Sequence, residues 1–385
     1  MIEITNKKDC CGCTACQSAC NKEAIVMLPD EEGFLYPHVN KTKCTNCGLC
    51  EKVCPIQKRR NTKKEKNYQK LYALRHLDEE TLMQSSSGGA FSAIAEYVLS
   101  QGGTVVGAIY NSKMQVVHSF AKTYDEFAKM RGSKYSQSNL IGVFSRCKEI
   151  LRTEKDKPLL FSGTPCQVHG LKIFLVRDYD NLITLDVVCH AVPSPQVFAD
   201  YVDYVDNYFQ DKMVDLQMRY KHSGGWSHHF AYRYAFASGK HSVDPDGIFN
   251  WGKVYFSHVI NRPSCDICPY TNYNRVSDFT VADFWDDTKL RPDIYSKKGT
   301  SLFIVNTQKG NSILDSIRSK VQVWNITEEE SMQPCLASPT MPNIERKYFW
   351  KCYKKHGLKY AVKRYCTPTL MNRIRRKIRK TLGLI

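Results

Sequence analysis

Residues 10–20 read "CCGCTACQSAC" and residues 44–54 read "CTNCGLCEKVC". Cys10, Cys13, Cys16 and Cys20 have the spacing C-x2-C-x2-C-x3-C; Cys44, Cys47, Cys50 and Cys54 repeat it, and Pro55 follows. Each run is preceded by N-K-x-x-C, at Asn6-Lys7 and Asn40-Lys41, and corresponding cysteines lie 34 residues apart. This is an internal repeat. Three closely spaced thiolates wrap an iron–sulfur cubane corner by corner while loop amides face its sulfurs, and the fourth thiolate starts the next element. Structural zinc also takes four thiolates, but seldom in duplicated runs of this form.

A further pair, Cys265 and Cys268 in "RPSCDICPY", has metal-site spacing but no second pair beside it. Its partners must come from elsewhere in the chain. Cys166 in "FSGTPCQVHGL" and Cys189 in "VVCHAVPSP" each follow an apolar run that reads as a strand. Cys166, Cys189, Cys265 and Cys268 then make a third four-cysteine site, assembled by the fold instead of a local motif. The alternative is that they are buried free thiols.

The cysteine runs resemble the bacterial two-cluster ferredoxin, in which the fourth cysteine of each run crosses to the other cluster. That resemblance implies one 4Fe-4S cluster on Cys10, Cys13, Cys16 and Cys54, and another on Cys44, Cys47, Cys50 and Cys20. Asn21 stands where a proline is usual, and Cys11 is an extra thiol. Neither removes a ligand.

These ligands need elements to hold them. Between the two runs, "LPDEEGFLYPHV" alternates like a hairpin around Gly33. The polar stretch after Pro55 reads as a linker, which predicts separable folding of the parts on either side. The expected organisation is a ferredoxin-like α+β module over 1–57, a linker over 58–69, a larger α/β domain with a mixed sheet over 70–340, and a basic helical tail over 341–385. Within the larger domain, "KLYALRHL" and "TVVGAIY" read as strands flanking the helix "AFSAIAEYVLS". The Ser85–Gly89 loop before that helix offers amides and hydroxyls to a phosphate, although serine is also an ordinary helix cap. Strands alternating with helices predict an α/β sheet with ligands beyond the strand ends, where Cys166 and Cys189 fall.

Taken together, "SSSGGAFSAI", "GSKYSQS", "FSGTPCQVHGL", "VVCHAVPSP", "RPSCDICPY" and "VADFW" resemble the family of coenzyme F420 hydrogenase/dehydrogenase beta subunits over roughly residues 1 to 310. The resemblance implies an oxidoreductase with FAD and a third 4Fe-4S cluster, passing electrons between clusters and a small organic substrate. By motif, Ser86, Ser87, Gly88, Gly89, Lys134 and Thr164 are candidates to contact the flavin. His190-Ala191 and Ala282-Asp283-Phe284-Trp285 depart from the family pattern. They suggest a bacterial branch, often associated with polysaccharide biosynthesis, and put a deazaflavin substrate in doubt. His190 is the candidate proton donor, with His222, His228 and His229 behind it in the loop "KHSGGWSHHF".

The 385-residue chain carries a formal charge of +17 and 17 cysteines. An odd cysteine count without an export signal disfavours structural disulfides and points to the cytoplasm. No apolar run approaches the ~18 residues of a membrane span. From Thr340 to Ile385 there are 14 Lys/Arg against one acid, so most of the excess charge belongs to the tail. A nucleic-acid partner is not expected, because no aromatics interleave the basic residues. In the tail, Leu370, Ile374, Ile378 and Leu382 form a stripe among cations, a pattern suited to the face of an anionic membrane. The rival to an enzyme is an electron-transfer subunit without its own substrate, serving ferredoxin or a partner enzyme.

Overall fold

The computed structural model describes residues 1–57, 69–221, 231–244, 250–285 and 291–367. The tail stripe, most of the linker, and His222, His228 and His229 lie outside the described residues.

The cysteine repeat is also a repeat of backbone conformation. Gly12 and Thr14 have positive φ, and 34 residues on so do Asn46 and Gly48. Each pair leads into a one-turn helix, Ala15–Ser18 in the first copy and Leu49–Lys52 in the second. Strands β1 (Ile25–Pro29) and β2 (Leu35–Val39) pair antiparallel between the copies, with Pro29 opposite Leu35. Asp30 closes the tip by accepting the Glu32 and Phe34 amides through Oδ1.

Among the described residues eleven further strands follow: β3 (Lys70–His76), β4 (Thr104–Tyr110), β5 (Val116–Ala121), β6 (Leu159–Gly163), β7 (Leu182–Val187), β8 (Met213–Gln217), β9 (Tyr232–Phe236), β10 (His241–Asp244), β11 (Phe279–Asp283), β12 (Ser301–Val305) and β13 (Val321–Asn325). Eight of them form one sheet in the order β13-β3-β12-β11-β7-β6-β4-β5. Its centre, β11-β7-β6-β4, is parallel, and both flanks are antiparallel. The sheet is therefore mixed, as the sequence predicts. Leu159, Leu160 and Phe161 are all fully buried, the mark of a parallel strand covered on both faces. The helix Ala90–Ser100 buries Ala93, Ile94, Ala95 and Val98 against one face. The helices Val143–Thr153 and Pro165–Leu175 share a core with the other.

Strands β8, β9 and β10 form a separate antiparallel sheet. Its core takes in Tyr201, Trp251 and, from the helix Arg346–Tyr365, Phe349, Trp350, Leu358 and Ala361. That helix bends where Gly357 adopts φ 75°. Residues 346–365 are thus part of the folded body, which corrects a tail beginning at residue 341: their aromatic face is buried. The linker predicts separable parts, whereas the two parts share a core. Ile2, Ile25, Met27, Cys50 and Ile56 share one core with Val106, Leu140, Phe144, Phe161, Leu171 and Tyr270. The hairpin tip is anchored as well, for a Cβ on Gly33 would stand 2.6 Å from the Gln196 amide nitrogen. Beside it, Arg346 makes a two-pronged ion pair with Glu32.

Candidate functional site

One pocket draws cysteines from both runs. Cys10, Cys13, Cys16 and Cys54 line one small apolar pocket with Ile2, Ile4, Met27 and Ile56. Cys54 of the second run lies in the same pocket as Cys10, Cys13 and Cys16 of the first. The Gly12 amide lies 3.4 Å from Cys10 Sγ, the amide–sulfur contact a cluster ligand needs. Around the second site, the Ile2 amide is 3.3 Å from Cys50 Sγ and the Ala24 amide 3.3 Å from Cys20 Sγ. Cys47 is exposed, so this site is the outer one.

The scattered cysteines also converge. Cys166 begins the helix after β6 and Cys189 follows β7; because β6 and β7 are parallel neighbours, both emerge at one edge. Cys265 and Cys268 reach them on a short 3-10 turn, Pro263–Ile267. Burial raises the pKa of Cys189, and the thiols of Cys265, Cys166 and Cys268 raise it further. Arg275 holds the arrangement from beneath. Its guanidinium donates to Asp186 Oδ1 (2.7 Å) and the Val187 carbonyl (3.0 Å) on β7, and to the Tyr270 carbonyl (2.7 Å) just after Cys268. Among the described residues no three His, Cys, Asp or Glu side chains converge on a single-ion position. A cubane needs its four thiolates spread around a larger body.

A cavity of about 810 Å³ opens beside this third site, at the carboxyl ends of β4, β6, β7 and β11. This is the position at which open α/β sheets bind ligands. Its walls include Ser86, Ser87, Gly89, Lys134, Thr164, Cys189 and His190. Gly88 is absent from the wall because it is pressed into the sheet: a Cβ there would stand 2.2 Å from the Leu74 carbonyl oxygen. Its amide donates to Ser301 Oγ and the Ser87 hydroxyl to the Thr300 carbonyl, which pins the loop to β12. The helix Ala90–Ser100 is capped by Gly89 at φ 84° and has no side-chain cap, so serine is not the cap. Ala90, Phe91 and Ser92 of its first turn line the cavity. A helix start with uncapped amides beside serine hydroxyls suits a phosphate.

Other candidates are placed less simply. The Lys134 ammonium donates to the carbonyls of Lys129 (2.8 Å), Arg131 (2.6 Å) and Gly132 (3.1 Å), and burial lowers its pKa to about 8. The Thr164 hydroxyl lies 3.2 Å from Cys166 Sγ. His190 Nε2 meets His258 Nε2 at 2.7 Å, and its Nδ1 is 3.3 Å from Cys335 Sγ. Burial and His258 lower the His190 pKa to about 4. Two wall residues, His118 and Cys335, are not among those expected from the sequence. His118 sits in β5, its Nε2 2.9 Å from the Ser162 carbonyl, and nothing in the local sequence marks it.

Comparisons with known proteins bear on this geometry. The amino-terminal profile of the coenzyme F420 hydrogenase/dehydrogenase beta subunits matches residues 71–145, and the carboxy-terminal profile of the same beta subunits matches residues 156–330. A "4Fe-4S dicluster domain" profile matches residues 9–58. Among curated proteins, one component of the F(420)H(2) dehydrogenase of Methanosarcina mazei is 21% identical over 190 residues, covering 47% of this chain and 52% of that protein. The pyruvate synthase component PorD of Thermotoga maritima is 37% identical over 57 residues, 15% of this chain and 54% of that protein. The chain thus spans about half the length of these two relatives. A solved structure, the xenon-derivatised F420-reducing NiFe hydrogenase complex from Methanosarcina barkeri, aligns with 78% of this chain and 92% of its own at 18% identity and a TM-score of 0.46.

Proposed function

This chain belongs to the family of coenzyme F420 hydrogenase/dehydrogenase beta subunits and carries a 4Fe-4S dicluster domain, and from that premise we propose that it is an iron–sulfur flavoprotein oxidoreductase. In this reading the N-terminal module holds two clusters, Cys166, Cys189, Cys265 and Cys268 hold a third, and FAD occupies the cavity. A flavin exchanges electron pairs with organic molecules and single electrons with clusters, so it joins the two kinds of traffic.

The observation that carries this reading is the position of Cys189. It belongs to the four-cysteine set and also to the cavity wall, so a cluster there would lie against whatever the cavity binds. The cavity volume of about 810 Å³ falls within the ~300–1,000 Å³ usual for cofactor and small-molecule sites. Around the ligand, Ser86 and the start of the helix Ala90–Ser100 would hold a phosphate. Lys134 keeps the 129–132 turn in place, and Tyr255, Phe256 and Trp285 add aromatic rings to the wall. His190 stands in the wall beside Cys189 as the candidate catalytic residue; burial keeps its imidazole neutral near pH 7, so it would act as a hydrogen-bond partner or proton acceptor and not as an imidazolium acid.

A second reading has support in the exposure of Cys47 and in the names of the two curated relatives, which are parts of larger enzymes: the chain relays electrons to a partner enzyme and turns over no substrate of its own. Anaerobic purification with flavin extraction and iron and sulfide assays tests the cofactors. Turnover of an organic substrate by the purified chain alone then separates the readings. Full reduction of the clusters without any such turnover, restored by adding a partner, would favour the relay.

A further inference from the structure

Arg262 is fully buried, yet among the described residues no carboxylate lies within ion-pair distance of it. A buried guanidinium is costly unless other negative charge and hydrogen bonds compensate it. Its hydrogen bonds all lead to the cysteine loops or to what frames them. Nε donates to the Cys10 carbonyl at 2.7 Å, one terminal nitrogen to Gln137 Oε1 at 2.9 Å, and the other to the Leu35 carbonyl at 2.9 Å. That last nitrogen also lies 3.5 Å from Cys10 Sγ. Gln137 in turn donates to the Cys11 carbonyl at 2.9 Å. The rings of Tyr36 and Phe34 sit 4.4 and 5.3 Å from the guanidinium carbon and keep water away. On its own backbone, the Arg262 carbonyl accepts the Cys265 amide at 3.0 Å, opening the turn that carries Cys265 and Cys268. One cation therefore touches the first cysteine run and starts the third-site turn.

We infer that Arg262 is a positioning residue for electron transfer, whose fixed charge raises the reduction potential of the cluster held by Cys10, Cys13, Cys16 and Cys54 above that of the outer cluster. The negative charge that compensates the guanidinium is that of the thiolate-bound cluster, and it grows by one on reduction. A nearby cation and a hydrogen bond to a ligand sulfur both favour the reduced state, and the dry surroundings leave that effect weakly screened. Among the described residues no buried cation stands against Cys44 or Cys47, which sit in a solvent-facing loop. The consequence is that an electron entering the module rests on the inner side, next to the third site.

The inference rests on the proposed ligand sets, and the test reports on them separately. Full-length protein is purified anaerobically, assayed for iron and sulfide, and titrated with dithionite under EPR. Arg262→Met removes the charge; Arg262→Lys keeps it while losing the fork. With iron content unchanged, Arg262→Met lowers one N-terminal couple so that its ratio of reduced to oxidised cluster at fixed potential falls at least tenfold, about 59 mV for one electron, while Arg262→Lys moves it much less. Equal shifts in both variants, or no shift in Arg262→Met, overturn the inference and leave the ligand assignment standing. An unmodified protein without paired N-terminal cluster signals overturns the assignment instead. Should Arg262→Met fail to fold, Gln137→Glu leaves the guanidinium in place and sets a carboxylate against it. The same couple must then fall, and an unchanged potential sinks the idea.

Discussion

Cys11, the extra thiol of the first run, lies close enough to Cys13 and to Cys166 for the thiols to perturb one another. A single non-ligand side chain thus separates a first-site cysteine from a third-site cysteine. Cys166→Ser, Cys189→Ser, Cys265→Ser and Cys268→Ser should each remove the same cluster and spare the two N-terminal ones, since each iron needs its protein thiolate. Cys11→Ser should leave the iron content unchanged. Iron assays and reduced EPR spectra decide it; full iron and an unaltered spectrum in all four ligand variants would refute the shared site.

Arg275 and Asp186 are both buried and joined at 2.7 Å, with Thr280 also donating to Asp186 Oδ1. Arg275→Met leaves that carboxylate without its cation, a change that costs about 3–5 kcal/mol at buried pairs. The tie from Val187 to Tyr270 goes with it, so the third cluster should be lost more readily than the N-terminal ones. Urea denaturation and iron retention measure both effects. A variant within about 1 kcal/mol of the parent would show that Thr280 and the backbone suffice.

The dicluster repeat was legible in the sequence because its spacing is local: a 34-residue offset survives as matched positive-φ residues at Gly12 and Asn46 and at Thr14 and Gly48. Cys166 and Cys189 were legible as candidates because each lies just beyond the end of a buried parallel strand. Arg262 was not, since its contacts with Cys10 and Leu35 join residues more than 220 positions apart. Nor was the role of Lys134, whose motif suggests a ligand contact but whose ammonium is engaged by three carbonyls of its own turn. A polar linker reports the chain between two parts, and it is silent on the surfaces those parts bury together.

Lys134 also makes a pH prediction. Burial lowers its folded pKa to about 8, with Asp215 opposing the shift, while the unfolded chain keeps the proton to about 10.4. Between those values the unfolded state binds more protons, so this residue's contribution to stability rises with pH across that window. Below about pH 8 the ammonium is charged in both states and its burial penalty is fully present. The stability of the parent relative to Lys134→Met should therefore increase from about pH 7.5 to about pH 9.5, measured by urea denaturation at each pH. A constant or falling difference would mean that the three carbonyls hold the charge as well as water does.

The shared core makes the last prediction, and it opposes what the polar linker suggests. Phe34 is fully buried, and Ile2, Ile25, Met27, Val53 and Ile56 nearly so. Each such side chain contributes about 1.5–3 kcal/mol on burial, and several of them face Leu140, Phe144 and Leu171 of the larger part. Specific contacts add to this: the Thr14 hydroxyl donates to the Leu140 carbonyl at 3.3 Å, and a Cβ on Gly170 would stand 3.0 Å from Cys13 Sγ. A chain beginning at Gln69 would expose that apolar face. It should aggregate or unfold without cooperativity, whereas an intact protein cut by an engineered protease site between residues 58 and 68 should keep both pieces together on size-exclusion chromatography. A fragment from Gln69 that stays monomeric and melts cooperatively within a few degrees of the full chain would show that the larger part folds without the cluster module.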